Sequence, residues 1–298
     1  MFSLVVLAAV IGGALVFARR NVLLGRGDRK GATRLAAVIA AIVLAALLLE
    51  GHHVASVNEV VVLLRTACWA LFGGAFVWTL YLALEPPIRR RWPHTLIGWN
   101  RLLAGRITDP LVGRDVLIGA AAGTTVSMVA CIQNSGLMSW GGPTPTPELN
   151  LIGPLSGIAI STSWLLLQLY DAIFTALALF FLVFLLRLVL RKVWLAAGTW
   201  VVIATAQNSL ASPQPWTTAL FAAIVVSAMM LVLFRFGLVR FSSATFFLTV
   251  LTQFPLTSNL TAWYGIGAAV ALVALAGIVC FGFRTASAGK PLLGAAVD

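Results

Sequence analysis

Long apolar segments separated by short polar ones run through the whole chain. Nine of the apolar segments have about the length that a helix needs to cross roughly 30 Å of hydrocarbon. We therefore predict an all-α fold: a polytopic helical membrane bundle of about nine transmembrane helices, forming a single domain over residues 1–298. The predicted spans cover residues 2–18, 35–49, 60–84, 116–138, 164–186, 193–208, 217–236, 241–254 and 263–283.

The longest polar interruption, residues 85–115, determines the predicted topology. It contains six of the twenty basic residues, namely Arg89, Arg90, Arg91, Arg101, Arg106 and Arg114. Lys and Arg accumulate beside spans on the cytoplasmic face, so we place this basic loop in the cytoplasm. With nine spans, nineteen of the twenty basic residues then share that face and only Arg65 does not. The amino end is predicted to lie outside and the carboxy end in the cytoplasm.

The basic loop has its own predicted structure. Three prolines, Pro86, Pro87 and Pro93, are expected to prevent a continuous helix through its first third. Residues 95–106 carry apolar side chains at helical spacing, which predicts an amphipathic helix in the headgroup plane, with Trp92 and Trp99 at the interface.

Two further segments need their own interpretation. Asp109 followed by Pro110 has the pattern of a helix N-cap and first turn. Residues 151–186 are too many for one straight span and too few for two. We expect residues 151–163 to be interfacial or re-entrant, with the proline-containing segment 141–150 as an outer loop.

Composition and charge exclude several classes of protein. Of the 298 residues, 60% are hydrophobic and 10% charged, with a mean hydropathy of +1.00, which is not the composition of a soluble domain. The net charge of +11 is divided among short clusters at the ends of apolar runs. Nucleic-acid binding requires a solvated basic face, so we predict no nucleic-acid partner and instead a bilayer with anionic headgroups.

The cysteine and arginine content points to a compartment. Cys68, Cys131 and Cys280 lie inside predicted spans and form no CxxC pair, so neither a disulfide framework nor a zinc site is expected. Seventeen of the twenty basic residues are Arg, with heavy use of Ala and Leu, which suggests a bacterial coding bias. We expect a multi-pass protein of the bacterial inner membrane.

Asp171 and Arg65 form a candidate intramembrane polar pair. A carboxylate near the centre of a bilayer costs about 2.5–3.5 kcal/mol on insertion scales, so such residues usually find partners. One interpretation makes Asp171 a proton or cation site. The other places it nearer the interface, paired with Arg65, Gln168 or a backbone group.

Other residue patterns also bear on chemistry and packing. His52 and His53, with Glu50 and Glu59, resemble a loose ligand set, but adjacent histidines cannot both reach one metal ion from a helix, which favours a solvated outer loop. GxSxG and a Gly-rich phosphate loop are both missing, so we predict no catalytic residue, cofactor or metal. Gly119 and Gly123 have the small-xxx-small spacing that favours close helix contact.

Three stretches carry a resemblance to a known family. They are ARRNVLLGRGDRKGATRLA (Ala18–Ala36), EGHHV (Glu50–Val54) and LYLALEPPIRRRWPHTLIGWNRLLAGRITDPLVGRDVLIG (Leu80–Gly119). They resemble the carboxy-terminal multispan membrane region of bacterial serine/threonine protein kinases, in which a cytoplasmic kinase domain precedes the spans. The chain lacks the Gly-rich loop, strand Lys, HRD-type loop and DFG site of such a domain. The resemblance implies a membrane region without the kinase domain, which would be supplied in cis or in trans.

Two functions follow as hypotheses. The first is a non-catalytic membrane anchor or sensing module for a kinase. The alternative is a small-solute or ion permease or channel with Asp171 in the pathway. An intramembrane hydrolase has no supporting motif.

Overall fold

A computed structural model describes residues 2–134, 153–257, 259, 262 and 265–287. All regular structure in these residues is helical, which confirms the predicted all-α fold. The α-helices are α1 (Phe2–Leu23), α2 (Arg29–Glu50), α3 (Asn58–Arg91), α4 (Ile97–Leu103), α5 (Pro110–Asn134), α6 (Ile158–Leu190), α7 (Val193–Leu210), α8 (Pro215–Phe236), α9 (Leu238–Gln253) and α10 (Gly265–Ala286).

Within the described residues, seven helices are long and apolar enough to cross a membrane: α1, α2, α3, α5, α6, α8 and α10. Two shorter helices, α7 with 18 residues and α9 with 16, coincide with the predicted spans 193–208 and 241–254. Every predicted span thus corresponds to a helix, while seven rather than nine meet the requirement of length and apolar composition. The chain is a multi-pass helical membrane protein.

The predicted helix break at the start of the basic loop is wrong. Helix α3 continues through Pro86 and Pro87 and ends only at Arg91. A 3-10 turn, Pro93–Leu96, follows it. Pro93 therefore lies where a proline is expected, beyond the end of a helix, whereas the other two lie inside one. The helix can continue through them because the Asn21 side chain of α1 donates hydrogen bonds to the carbonyls that the two prolines leave unpaired.

The predicted separation of residues 151–163 from the fifth span is also wrong in part. Helix α6 begins at Ile158 and continues for 33 residues, so it is about 50 Å long. A 3-10 turn, Gly153–Leu155, precedes it, and Gly157 has a φ of +112°, which ends that turn before the helix begins. Of the described residues of the ambiguous segment, only 153–157 lie outside α6.

The amphipathic helix predicted for residues 95–106 exists as the shorter α4, and other helices cover its apolar face. Trp99 is only 3% exposed, and α4 packs against α5 and α9. The Trp92 ring lies against the Phe180 ring, with 5.5 Å between their centroids. The periodicity identified an apolar face, and protein rather than lipid covers it.

Where the sequence predicted a single domain, the helices form two compact units. The first unit comprises Met1–Leu96, Asn150–Leu182 and Phe254–Ala274. In it α3 packs against both α1 and α2. The approach of α2 is close, because a Cβ added to Gly74 would lie 2.8 Å from the Ala36 carbonyl oxygen.

One end of the first unit is strongly basic. The turn between α1 and α2 meets the end of α3 there, since a Cβ on Gly27 would lie 3.3 Å from Leu82 and 3.7 Å from Pro86. We call this the basic end of the first unit. The turn between α2 and α3, residues 51–57, lies at the opposite end. The basic residues of the basic end are Arg19, Arg20, Arg26, Arg29, Lys30, Arg34, Arg89, Arg90 and Arg91.

The second unit comprises Ile97–Leu149, Val183–Gln253 and Leu275–Asp298. Its main contact joins α5 to α9, and α7 packs on α8. Gly119 and Gly123 lie against the α9 backbone, so that a Cβ on Gly119 would lie 2.5 Å from the Arg240 carbonyl oxygen. Ser243 Oγ donates to the Val116 carbonyl at 2.9 Å. The close helix contact predicted from the glycine spacing is confirmed.

Several predictions fall outside the described residues. They concern the outer loop 141–150, the start of the segment 151–163, the end of the fourth predicted span, the start of the ninth, and the last basic residue, Lys290.

Candidate functional site

Polar side chains gather around the two prolines of α3 at the basic end of the first unit. Proline has no backbone N–H, so Pro86 and Pro87 leave the carbonyls of Leu82 and Ala83, four residues earlier, without their helical donors. The Asn21 side-chain amide donates to both, at 2.8 Å and 3.5 Å respectively. Asn21 is buried, and within a bilayer such carbonyls must find a donor inside the protein. One α1 side chain thus compensates for the double proline.

Glu85 lies beside the prolines and is only 2% exposed. Its carboxylate pairs with Arg89, one turn further along α3, at 2.6 Å. Asp28, the other acid of this end, caps α2 by accepting from the Gly31 N–H at 2.9 Å. Both acids are therefore engaged by contacts within the basic end.

All nine basic residues of the basic end are exposed, in contrast to its two acids. Asp28 is half-buried and Glu85 is buried. The surface of this end is consequently strongly cationic. Such a surface attracts anionic headgroups or an acidic protein face.

The second unit has its own buried ion pair. Asp115 of α5 pairs with Arg240 of α9 at 2.7 Å, and both side chains are largely buried. Gly98 of α4 packs directly on the Asp115 carboxylate, which leaves no room for a larger residue. The Arg240 guanidinium also lies over the Phe236 ring, 5.3 Å from its centroid. Removing one partner of such a pair typically costs about 3–5 kcal/mol, because the other charge is left buried.

The segment between α4 and α5 is held by a second pair. Arg101 Nη1 donates to both Asp109 carboxylate oxygens, at 2.7 Å and 2.6 Å. Asp109 also accepts from the Leu111 N–H at 3.0 Å, which confirms the predicted N-cap of α5. The Leu111 N–H, followed by the Arg101 guanidinium, holds the pKa of Asp109 below its ordinary value.

The six arginines predicted as one basic loop are divided between the two units. Arg89, Arg90 and Arg91 belong to the first unit and Arg101, Arg106 and Arg114 to the second. Arg89 and Arg101 form the ion pairs described above. Arg90, Arg91, Arg106 and Arg114 are exposed.

The opposite end of the first unit contains a cleft of about 550 Å³ between α2, α3 and α6. Arg65 of α3 and Glu50, the last residue of α2, both line it. Trp69 and Tyr170 contribute aromatic walls. No described carboxylate forms an ion pair with Arg65.

Asp171 does not meet Arg65 in the structure. The Tyr170 ring lies 3.8 Å from the position of a Cβ on Gly73, so Asp171 lies at the level of Gly73. Arg65 is eight residues earlier in α3, about 12 Å along the helix axis. Asp171 is exposed on α6 and is not among the residues that line the cleft.

The histidine-containing turn forms a hydrogen bond rather than a ligand set. The His53 ring bonds to the Glu59 carboxylate and, at 2.8 Å, to the Leu48 carbonyl oxygen. Both contacts, the carboxylate first, raise the pKa of His53 above its ordinary value. Among the described residues, His, Cys, Asp and Glu do not form any group of three that could hold a metal ion.

Sequence reasoning missed four residues of these clusters: Asn21, Glu85, Asp115 and Arg240. A partial signal was present at Glu85, because an acid followed by two prolines inside an otherwise helical segment requires local compensation. Arg240 carried no such signal in the sequence, because it lies 125 residues after its partner, Asp115.

No protein-family model, curated protein or solved structure matches the chain.

Proposed function

We propose that this chain is a non-catalytic multispan membrane module that anchors a serine/threonine protein kinase domain, supplied in cis or in trans, and conveys a signal to it. The observation that supports the proposal is the basic end of the first unit. Its nine exposed cations surround two acids that are already occupied by internal contacts. The resemblance of Leu80–Gly119 to the membrane region of bacterial kinases supports the same assignment.

The basic end of the first unit assigns an orientation within this proposal. Basic residues mark the cytoplasmic side of a membrane protein. We therefore place the basic end of the first unit in the bacterial cytoplasm, beside the anionic inner leaflet. The turn 51–57 then faces the outside. A kinase domain would meet the cationic surface from the cytoplasmic side.

Helix α3 provides the physical route for a signal. It is 34 residues long, about 51 Å, and has no break at its prolines. Near one end it lines the cleft through Arg65 and Trp69, and at the other it carries Arg89 to Arg91. A helix this long transmits a tilt or shift from the outer side directly to the cationic surface.

Orientation can be tested by cysteine labelling. In a variant without Cys68, Cys131 and Cys280, we expect Arg90→Cys to react with a membrane-impermeant maleimide only after cells are permeabilised. Ser56→Cys, an exposed position in the opposite turn, is the matched control and should react in intact cells. Labelling of Arg90→Cys in intact cells contradicts the proposed orientation.

The kinase assignment is tested by genomic sequence. We expect the reading frame upstream of Met1, or an adjacent gene, to encode a Gly-rich loop, a strand Lys, an HRD-type loop and a DFG motif. If neither location encodes them, the anchor proposal fails.

The permease alternative has less support, because Asp171 does not line the cleft. It predicts a solute or ion flux in proteoliposomes that Asp171→Asn abolishes without loss of insertion. A flux that is insensitive to this substitution contradicts it.

A further inference from the structure

The cleft at the opposite end of the first unit has two chemically different parts. Its walls are mainly apolar and come from three helices: Val43, Leu47, Val62, Phe72 and Leu167. Among the described residues its charged lining side chains are Glu50 and Arg65, which are both exposed and do not pair with each other. An apolar cavity with one anion and one cation at its opening is suited to an amphiphile with a zwitterionic headgroup.

The two charges lie at different depths. Helices α2 and α3 are antiparallel, with Gly27 against Leu82 and Ala36 against Gly74, so Glu50, at the end of α2, lies at about the level of Val62. Arg65 lies three residues further along α3, about 4–5 Å further into the membrane. From the surface inward the order is therefore carboxylate, guanidinium and then the apolar wall of Val43, Phe72 and Leu167.

A phospholipid with an ethanolamine headgroup has the matching order of groups. Its ammonium is outermost, its phosphate follows, and its acyl chains lie deepest. Glu50 can accept hydrogen bonds from the primary ammonium, and the Arg65 guanidinium can donate two to the phosphate. Phe72 and Leu167 then lie against the acyl chains. A choline headgroup has no N–H to donate, and a glycerol headgroup has no cation.

We propose that this cleft binds one phospholipid with an ethanolamine headgroup, with its phosphate on Arg65 and its ammonium on Glu50. The site is a ligand site of the first unit and does not depend on the kinase assignment. Where that assignment holds, lipid occupancy is a signal that α3 can carry.

Native mass spectrometry of the delipidated full chain tests the proposal. The probes are dioleoyl lipids with ethanolamine, choline or glycerol headgroups, added at equal concentration. We expect a one-to-one ethanolamine-lipid adduct at least tenfold more abundant than either of the others. Equal abundance of the three adducts overturns the proposal.

Two variants test the assigned contacts. Arg65→Gln should reduce ethanolamine-lipid binding at least tenfold, and Glu50→Gln should bring the ethanolamine and glycerol lipids to within twofold of each other. The matched controls are Arg284→Gln and Glu59→Gln, which alter exposed or turn charges outside the cleft and should preserve the preference. A preference that survives in both cleft variants contradicts the site. Thermal unfolding of each variant in detergent checks that the fold is retained.

A competition experiment separates the lipid from a soluble zwitterion. Glycerophosphoethanolamine, which has the same headgroup without acyl chains, should displace the lipid only at concentrations at least a hundredfold higher. Displacement at equal concentration would mean that the apolar walls contribute nothing, and the proposal of a lipid ligand would fail.

Discussion

Replacement of Asn21 by Leu tests whether one amide side chain allows α3 to continue through two prolines. The Asn21 amide donates to the Leu82 carbonyl at 2.8 Å and to the Ala83 carbonyl at 3.5 Å. Leu has the same branching and number of side-chain heavy atoms and cannot donate a hydrogen bond. The substitution therefore keeps the outline of the side chain and removes the donor from a buried position.

The size of the effect follows from these two distances. A buried carbonyl left without a donor costs about 1–3 kcal/mol. Hydrogen bonds between membrane helices contribute about 0.6 kcal/mol on average and up to about 1.7 kcal/mol. The bond at 3.5 Å is too long to add much. We expect Asn21→Leu to lower the free energy of unfolding by about 1–2 kcal/mol.

A double-mutant cycle identifies the cause. Pro86→Ala restores the backbone N–H that can donate to the Leu82 carbonyl within α3. In that background the carbonyl no longer depends on Asn21. We expect Asn21→Leu to cost at least about 1 kcal/mol less there than in the natural sequence.

The assay is equilibrium unfolding in mixed micelles, followed by circular dichroism as the fraction of SDS is raised. Asn208→Leu is the matched control, because among the described residues the Asn208 amide bonds to Ala204 in its own helix, at 2.8 Å, and not to another helix. It should change the unfolding free energy by less than about 0.5 kcal/mol. An equal cost of Asn21→Leu with and without Pro86 would refute the reasoning.

Three further predictions concern other parts of the molecule. Gly123→Ala should lower the unfolding free energy by about 1–3 kcal/mol, because a Cβ there meets the α9 backbone. Gly277→Ala should not, because no atom of the described residues lies within 4 Å of a Cβ there, and equal effects would contradict the packing described. The raised pKa of His53 means that its bond to Glu59 stabilises the turn fully below the ordinary pKa of 6.5 and less as pH rises through the folded value. Glu59→Gln should therefore lower the His53 pKa in an NMR titration, and an unchanged pKa would contradict the contact. The lowered pKa of Asp109 means that its stabilising contribution is present above the ordinary pKa of 3.8 and is lost as pH falls through the folded value. Asp109→Asn should reduce the dependence of thermal unfolding on pH below about 4, and an unaltered dependence would argue against this origin.

Local patterns predicted those features whose causes are local. Apolar length identified the helices, because crossing hydrocarbon requires a minimum number of residues. Asp109 was identified as an N-cap because the capping contact spans two residues. Gly119 and Gly123 predicted a close helix contact because side-chain size alone permits it.

Features whose causes lie elsewhere in the chain could not be predicted. The prolines of α3 were expected to end the helix, yet the compensating donor, Asn21, lies 61 residues earlier than Leu82. Arg65 and Asp171 have opposite charges, but the relative positions of α3 and α6 along their axes keep them apart. For α4, periodicity identified the apolar face and could not tell whether protein or lipid covers it.

Helix α9 is only about 24 Å long, shorter than the roughly 30 Å thickness of a bilayer core. Half of its sixteen residues are buried, and it packs against the longer helices α5 and α8. These neighbours shield α9 from the hydrophobic mismatch that would otherwise thin the surrounding lipid. The second unit should consequently tolerate bilayers of different acyl-chain length, with its thickness preference determined by α5 and α8.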